Sequence, residues 1–412
     1  MFDKAAENAK KLINSSRKFT TISHMRDLVA PLIYDSDFEN SLDSKPNLLG
    51  VRNGVVDLKT GILRDREPED LIYHIVDTDY DVNADTSLMV KFISDIMAGN
   101  ERMIKFLQKF LGYAITGEIL EELFAIFNGD GRNGKGVISQ LFSDLFGRDL
   151  VTDMPASLIS GDQNLNNTAA EIWKMDKARI AYFKELPPNS KLKTDRVQLF
   201  SGGDGVPCCG KYRDATTIKP RHQCILETNH MPDIAPPILP SIIERLVVIH
   251  FPVSFVAELN PGETPSAFRR LGDPMIKAKL HDSHPGVLRW LVEGAMEWYA
   301  TKDLKRNAPP EVKDFTKKYL FDQDLVQQFL VERCELHPSF RVGSVFFLAS
   351  FNEWAFENDP ERKKACGASE MVVSMRSKGF IKENMRVDGV PMQGYSGFSV
   401  LPKQPVAPRF VE

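Results

Sequence analysis

The chain has 412 residues, 42% of them apolar and 26% charged, with a formal net charge of −4. That is enough to bury a sizeable core in roughly two to four domains, and it excludes the overall basic footprint of a nucleic-acid-coating protein. Any grip on nucleic acid must therefore come from local basic patches. No apolar run approaches the ~18 residues a membrane span needs, and Met1-Phe2-Asp3-Lys4 has no apolar stretch behind a basic start. A soluble protein of a reducing cytoplasm is expected. Cys208, Cys209, Cys224, Cys334 and Cys366 are odd in number and lack C-x-x-C spacing, so neither a disulfide framework nor a zinc site is indicated.

Residues 1–45 read as helical and polar. Leu48 to Asp57 reads as two short strands joined at Asn53-Gly54, a strong hairpin signal. Residues 88–116 place apolar side chains at three- and four-residue spacing, which predicts amphipathic helices. From about Glu121 to Phe251-Pro252, short apolar strands alternate with glycine turns and helices, the pattern of a parallel α/β sheet. A Pro/Gly-bearing loop follows at 260–265, then helices over 285–300 and 311–320. The tail predicts helices at 322–334, 344–358 and 368–378 followed by strands at 380–386 and 397–401, a winged-helix order.

The segment Leu123-Phe-Ala-Ile-Phe127 followed by Asn128-Gly-Asp-Gly-Arg-Asn-Gly-Lys-Gly136 is the most informative. An apolar strand runs into a glycine loop, and a helix pattern opens behind it, which is the context of a phosphate-binding loop. Gly129, Asp130, Gly131, Arg132, Asn133, Gly134, Lys135, Gly136 and Val137 would wrap the phosphates, with backbone N–H groups and the helix N-terminus supplying positive potential. Lys135 would reach the β- and γ-phosphates of ATP. Gly136 stands where the pattern calls for Ser or Thr to hold Mg²⁺, so it offers no oxygen.

Further on, the strand Arg179-Ile-Ala-Tyr-Phe183 ends in Lys184-Glu185. A carboxylate at the C-terminal edge of a parallel strand faces the ligand in such sheets, making Glu185 the candidate to polarise water and to face the metal. Lys184 replaces the second acid expected there. Gln223-Cys-Ile-Leu-Glu-Thr228 reads as another strand ending in Asn229, an amide suited to sensing a γ-phosphate. Arg245 precedes the apolar strand 246–251 and is an arginine-finger candidate, with a surface ion pair as the plainer alternative.

Together these pieces resemble the superfamily 3 helicases, in particular the poxvirus-type and phage/plasmid primase-associated branch. The resemblance covers Leu48 to Phe251, including Asn53–Gly61, Phe106–Tyr113, the Asn133-Gly134-Lys135 signature and Leu199–Asp204. It implies an AAA+-like P-loop ATPase core, with Lys135, Glu185 and Asn229 from one subunit and Arg245 from the next in a ring, a hexamer by analogy. Two departures stand out: Gln198 replaces a family lysine, and Glu244 replaces the first of two arginines.

The resemblance further implies translocation on single-stranded DNA at a replication fork, 3′→5′. A hairpin over 206–222 would do this, with Lys211, Tyr212, Arg213 and Lys219 as DNA contacts. Its four cations against Asp214 give a local net charge of +3. The tail 361–388 also nets +3, from seven cations against four acids, with 368–378 as recognition helix. The expected domains are an N-terminal helical and hairpin region (1–85), the ATPase core (86–260), a helical lid (261–320) and a winged-helix-like domain (321–412). The stretch before Leu48 is too short for a primase or polymerase domain, so the chain is expected to be part of a larger replication protein or a stand-alone motor. The rival reading is a nucleotide-dependent initiator or scaffold with weak hydrolysis, favoured by Gly136 and Lys184.

Overall fold

The computed structural model describes residues 2–35, 37–161, 168–186, 190–210, 215–259, 264–359 and 365–402. The chain divides into two compact units, residues 1–44 with 67–73, and residues 45–66 with 74–412. In the first unit, helices Phe2–Ser16 and Phe19–Ile33 precede a short helix, Phe38–Ser41. The backbone of Asp43 bonds Leu71 O at 2.8 Å, and its carboxylate accepts from Tyr73 N at 2.9 Å, which closes the unit.

The second unit is built on a five-stranded sheet. Its spatial order is Leu246–His250, Phe124–Asn128, Gln223–Thr228, Ile180–Lys184 and Val151–Pro155, and every pairing is parallel. Parallel sheets need both faces covered, and the strands are accordingly apolar throughout. Alternation divides them: Ala125 and Phe127 belong to one core, Phe124 and Ile126 to the other. The first face is covered by helices Ser87–Ile96, Glu101–Ala114, Lys135–Leu150 and His284–Thr301. The second carries Thr194–Ser201, Pro240–Arg245 and Pro310–Gln323.

The strands Leu48–Val51 and Gly54–Asp57 form the expected antiparallel hairpin, but they pack with the sheet unit rather than with the N-terminal helices. Leu49, Val51 and Val56 share a core with Phe127, and the Arg179 guanidinium donates to Pro46 O at 2.8 Å and Leu48 O at 3.1 Å. The helices Glu101–Ala114 and His284–Thr301 touch backbone to backbone. A Cβ on Gly112 would lie 2.2 Å from Ala295 N, and one on Gly294 would lie 2.2 Å from Gln108 O.

The tail has its own core around Phe329, Phe347, Phe351, Trp354 and Phe398. Its order is helix Leu325–Arg333, strand Cys334–Gly343, helices Ser344–Asn358 and Ala368–Ser377, and strands Glu383–Val387 and Val390–Val400. The first strand lies beside the last, and the middle one on its other side, which is a winged-helix arrangement. Cys334–Gly343 escapes sequence reading because most of it is exposed, it contains Pro338 and its register shifts between Leu336 and Arg341. Lys378, counted above among the cations of the recognition segment, turns inward instead. It pairs with Asp324, the N-cap of Leu325–Arg333, and both side chains are nearly buried. Arg362, Lys363 and Lys364 lie outside the described residues. No helix among the described residues is long and apolar enough to cross a membrane.

Candidate nucleotide-binding site

The glycine loop leaves the C-terminal end of Phe124–Asn128 and enters the helix Lys135–Leu150. Two glycines are required by what surrounds them. A Cβ on Gly129 would stand 2.0 Å from Asn133 Nδ2 and 2.7 Å from Phe251 O. Gly134 has φ +89°, a left-handed conformation that costs an L side chain energy, and its Cβ would meet Ile96 Cγ2 at 2.6 Å. Val137 N and Ile138 N bond back to Gly134 O at 3.0 and 3.1 Å, so the helix begins at Lys135.

The Lys135 ammonium is buried and held by three oxygens: Gly129 O at 2.7 Å, Asn133 Oδ1 at 3.0 Å and Asn229 Oδ1 at 3.3 Å. Burial lowers its pKa, opposed by the carboxylates of Glu227, Asp130 and Glu185. Asn229 in turn donates through Nδ2 to Glu185 Oε1 at 3.4 Å. Lys135, Asn229 and Glu185 therefore form one chain of contacts across the C-terminal ends of three neighbouring strands. Glu185 is exposed and has φ +42°, an uncommon conformation for a residue with a side chain. Such strain concentrates at sites that need one fixed geometry.

Sequence reasoning missed a supporting layer. Asn128 Nδ2 donates to Asn229 O at 3.4 Å, and His250 Nδ1 lies 3.2 Å from Asn128 Oδ1. His250 stacks on Phe315 with ring centroids 5.1 Å apart, and burial lowers its pKa. The clue was a polar residue closing each of two apolar strands. Glu227 was also passed over. Beside the loop opens a cavity of 570 Å³, lined by Phe92, Val137, Phe255 and Ile276 together with Arg132 and Gly134.

Arg245 is not with this group. It sits at the N-terminal end of Leu246–His250, the sheet edge opposite the loop, where it pairs with Glu122 and donates to Ser241 O at 3.3 Å. Within 206–222 the strands Val206–Cys209 and Ala215–Ile218 pair antiparallel as a hairpin. Lys219 is exposed at its base, while Lys211, Tyr212 and Arg213 lie outside the described residues. Among the described residues no group of three or more His, Cys, Asp or Glu forms a metal cage.

Residues 2–98 match the family described as "D5 N terminal like". A provisionally named helicase of Acanthamoeba polyphaga mimivirus is 28% identical over 231 residues, covering 55% of this chain and 23% of its own length. A provisionally named helicase of Invertebrate iridescent virus 3 is 23% identical, covering 89% of this chain and 41% of its own. The chain is thus similar to the D5 N terminal like family over residues 2–98, and beyond that to viral proteins provisionally named helicases. A further relative, from African swine fever virus, is provisionally named a primase and is 23% identical over 82% of this chain, or 35% of its own length. This chain thus spans 23% to 41% of the length of those curated relatives. The apo structure of the NrS-1 C terminal region overlays 91% of this chain and 90% of that one, with a TM-score of 0.47 and 11% identity.

Proposed function

We propose that this chain is the ATP-driven motor of a viral, phage or plasmid replication helicase. The observation that carries the reading is the contact chain Lys135–Asn229–Glu185, assembled from three strand ends in the order a phosphate-loop ATPase requires. Lys135 exchanges an oxygen partner for a phosphate oxygen, loop N–H groups from Gly129 to Val137 take the remaining phosphate charge, and the apolar cavity beside Arg132 suits a purine base. Exposed Glu185 polarises the attacking water, and Asn229 orients it. Arg245 reaches the nucleotide of a neighbouring subunit, which implies a closed head-to-tail ring, a hexamer by analogy. Single-stranded DNA runs past the hairpin that ends at Lys219. A primase or polymerase domain on the same full-length protein fits the relatives' greater length.

Mg²⁺ neutralises phosphate charge when bound with ATP. The donor set fits it through carboxylates rather than through the loop: Gly136 brings no oxygen, whereas Glu185 and Glu227 both stand near Lys135. A second reading, a nucleotide-dependent initiator that hydrolyses poorly, is favoured by Lys184, which stands in place of an acid with its ammonium 2.8 Å from Asp153 Oδ1. ATP turnover measured with Mg²⁺, with and without single-stranded DNA, alongside mass photometry, separates the two. DNA-stimulated turnover from a ring is expected. ATP binding without turnover would transfer the assignment to the initiator, and absence of ATP binding would overturn both.

A further inference from the structure

Two positions that ordinarily bring oxygen to the cation of a phosphate loop lack it in this chain, and a buried carboxylate stands close to both. Gly136 is exposed, its φ is not left-handed, and a Cβ built there meets nothing within 4 Å. Neither backbone nor packing therefore requires glycine. Lys184 ends its strand with a cation committed to Asp153. On the adjacent strand, Glu227 is the residue in register with Lys184. Residues paired in a parallel ladder point to the same face, so a carboxylate stands one strand over from the position where the acid is missing. That strand lies directly beside the one that launches the loop, which brings the carboxylate closer to Lys135 than a strand-end acid at position 184 would be.

The environment of Glu227 is that of a group waiting for a positive partner. Its exposure is 8%, burial raises its pKa while the neighbouring Ser139 hydroxyl acts to lower it, and Oε1 has no hydrogen-bond partner. A buried carboxylate oxygen left unpaired is costly, and native proteins keep such groups where a ligand or function compensates. Ser139 lies three residues beyond Gly136, on the same side of the helix, so the hydroxyl that neighbours Glu227 also borders the open space at Gly136. Lys135 and Lys184 are the nearby cations, and neither contacts Oε1.

We infer that Glu227 supplies the Mg²⁺ contact, directly or through one water, that Gly136 and Lys184 do not offer, with Ser139 as its positioning residue. The inference rests on the nucleotide reading of the site. Mg²⁺ is commonly held by one or two carboxylates together with phosphate oxygens and waters, so the lack of an all-protein cage among the described residues is what such a site shows.

The test is binding of a fluorescent ADP to the full chain, in Mg²⁺ and in EDTA, with Mn²⁺ electron paramagnetic resonance on the same complexes. The wild type is expected to bind more tightly with Mg²⁺. Glu227→Gln is expected to keep the EDTA affinity and to lose about tenfold or more of the Mg²⁺-dependent gain, along with the Mn²⁺ signal. Gly136→Ser in the Glu227→Gln background restores both by returning the ordinary oxygen to the loop. If Glu227→Gln does not fold, Ser139→Ala carries the test, with partial loss expected. An unchanged Mg²⁺/EDTA affinity ratio in the variant that folds, or a wild type whose nucleotide affinity ignores Mg²⁺, overturns the assignment of Glu227 and leaves the nucleotide site standing. A wild type that binds no nucleotide in either medium overturns the site itself and this inference with it.

Discussion

Arg245→Ala offers the sharpest test of the ring. In the register of the sheet, Leu246 pairs with Phe124, so Arg245 is level with Leu123, six residues before Gly129. At about 3.3 Å per residue that separation is about 20 Å, two Debye lengths at ordinary salt and beyond the span of an arginine side chain. Arg245 therefore has no route to the phosphates of its own subunit. If it acts on a neighbour's γ-phosphate, its loss should lower turnover by about 10³-fold or more while sparing ATP affinity. The fold should tolerate the change. Arg245 and Glu122 have side-chain exposures of 19% and 48%, and losing an ion pair whose acid is half-exposed costs about 1 kcal/mol.

The decisive assay mixes Arg245→Ala with Lys135→Ala. Each variant alone is dead, but an interface pairing the intact Lys135 of the first with the intact Arg245 of the second is whole. In an equal mixture about one interface in four has that composition, so about a quarter of wild-type turnover should return if interfaces act independently. A mixture as inactive as its components, with mixed rings verified by native mass spectrometry, would refute the in-trans role. Equal loss of ATP binding and turnover in Arg245→Ala would also refute it, by showing that the residue supports the fold rather than the chemistry.

Three further outcomes are expected. Gly112→Ala forces a methyl to 2.2 Å from Ala295 N and should cost about 3 kcal/mol or more, read as a lowered denaturant midpoint; an unchanged midpoint would show that the two helices can part freely. His222 is fully buried, which lowers its pKa from 6.5 to about 4 against the opposing pull of the Phe200 backbone, so between those values the unfolded chain binds a proton that the folded chain refuses. Stability should accordingly be complete above pH 6.5 and fall by about 3 kcal/mol as the pH drops toward 4, a slope that His222→Gln should flatten in urea titrations. Lys219→Glu should weaken single-stranded DNA binding and lower the salt slope by about one, measured by fluorescence anisotropy; an unaltered slope would remove Lys219 from the DNA path.

What the sequence made legible follows from how local each signal is. The glycine loop announces itself because strand, glycines, lysine and helix are contiguous, and the hairpin at Asn53-Gly54 because its turn chemistry occupies two residues. The winged helix was readable as three helices and a final pair of strands, while its exposed first strand, Cys334–Gly343, carries no alternation to detect. Lys378 misled as a free cation because its partner Asp324 lies 54 residues earlier, a pairing no local window contains. Arg245 was legible as a candidate, but its distance from the loop appears only once the sheet register is known.

Glu227 shows the same limit at the site itself. Within Gln223-Cys-Ile-Leu-Glu-Thr228 it reads as an acid near a strand end, unremarkable beside Asn229. Lys184, 43 residues earlier, reads separately as a missing acid, and Gly136 as a missing hydroxyl. The ladder sets Glu227 opposite Lys184, so that a carboxylate stands in register with the missing acid and one strand nearer the loop. If Glu227 holds Mg²⁺ as proposed, departure from the motif at Gly136 and Lys184 is weak support for an inactive site, because a buried carboxylate with an unpartnered Oε1 stands beside both.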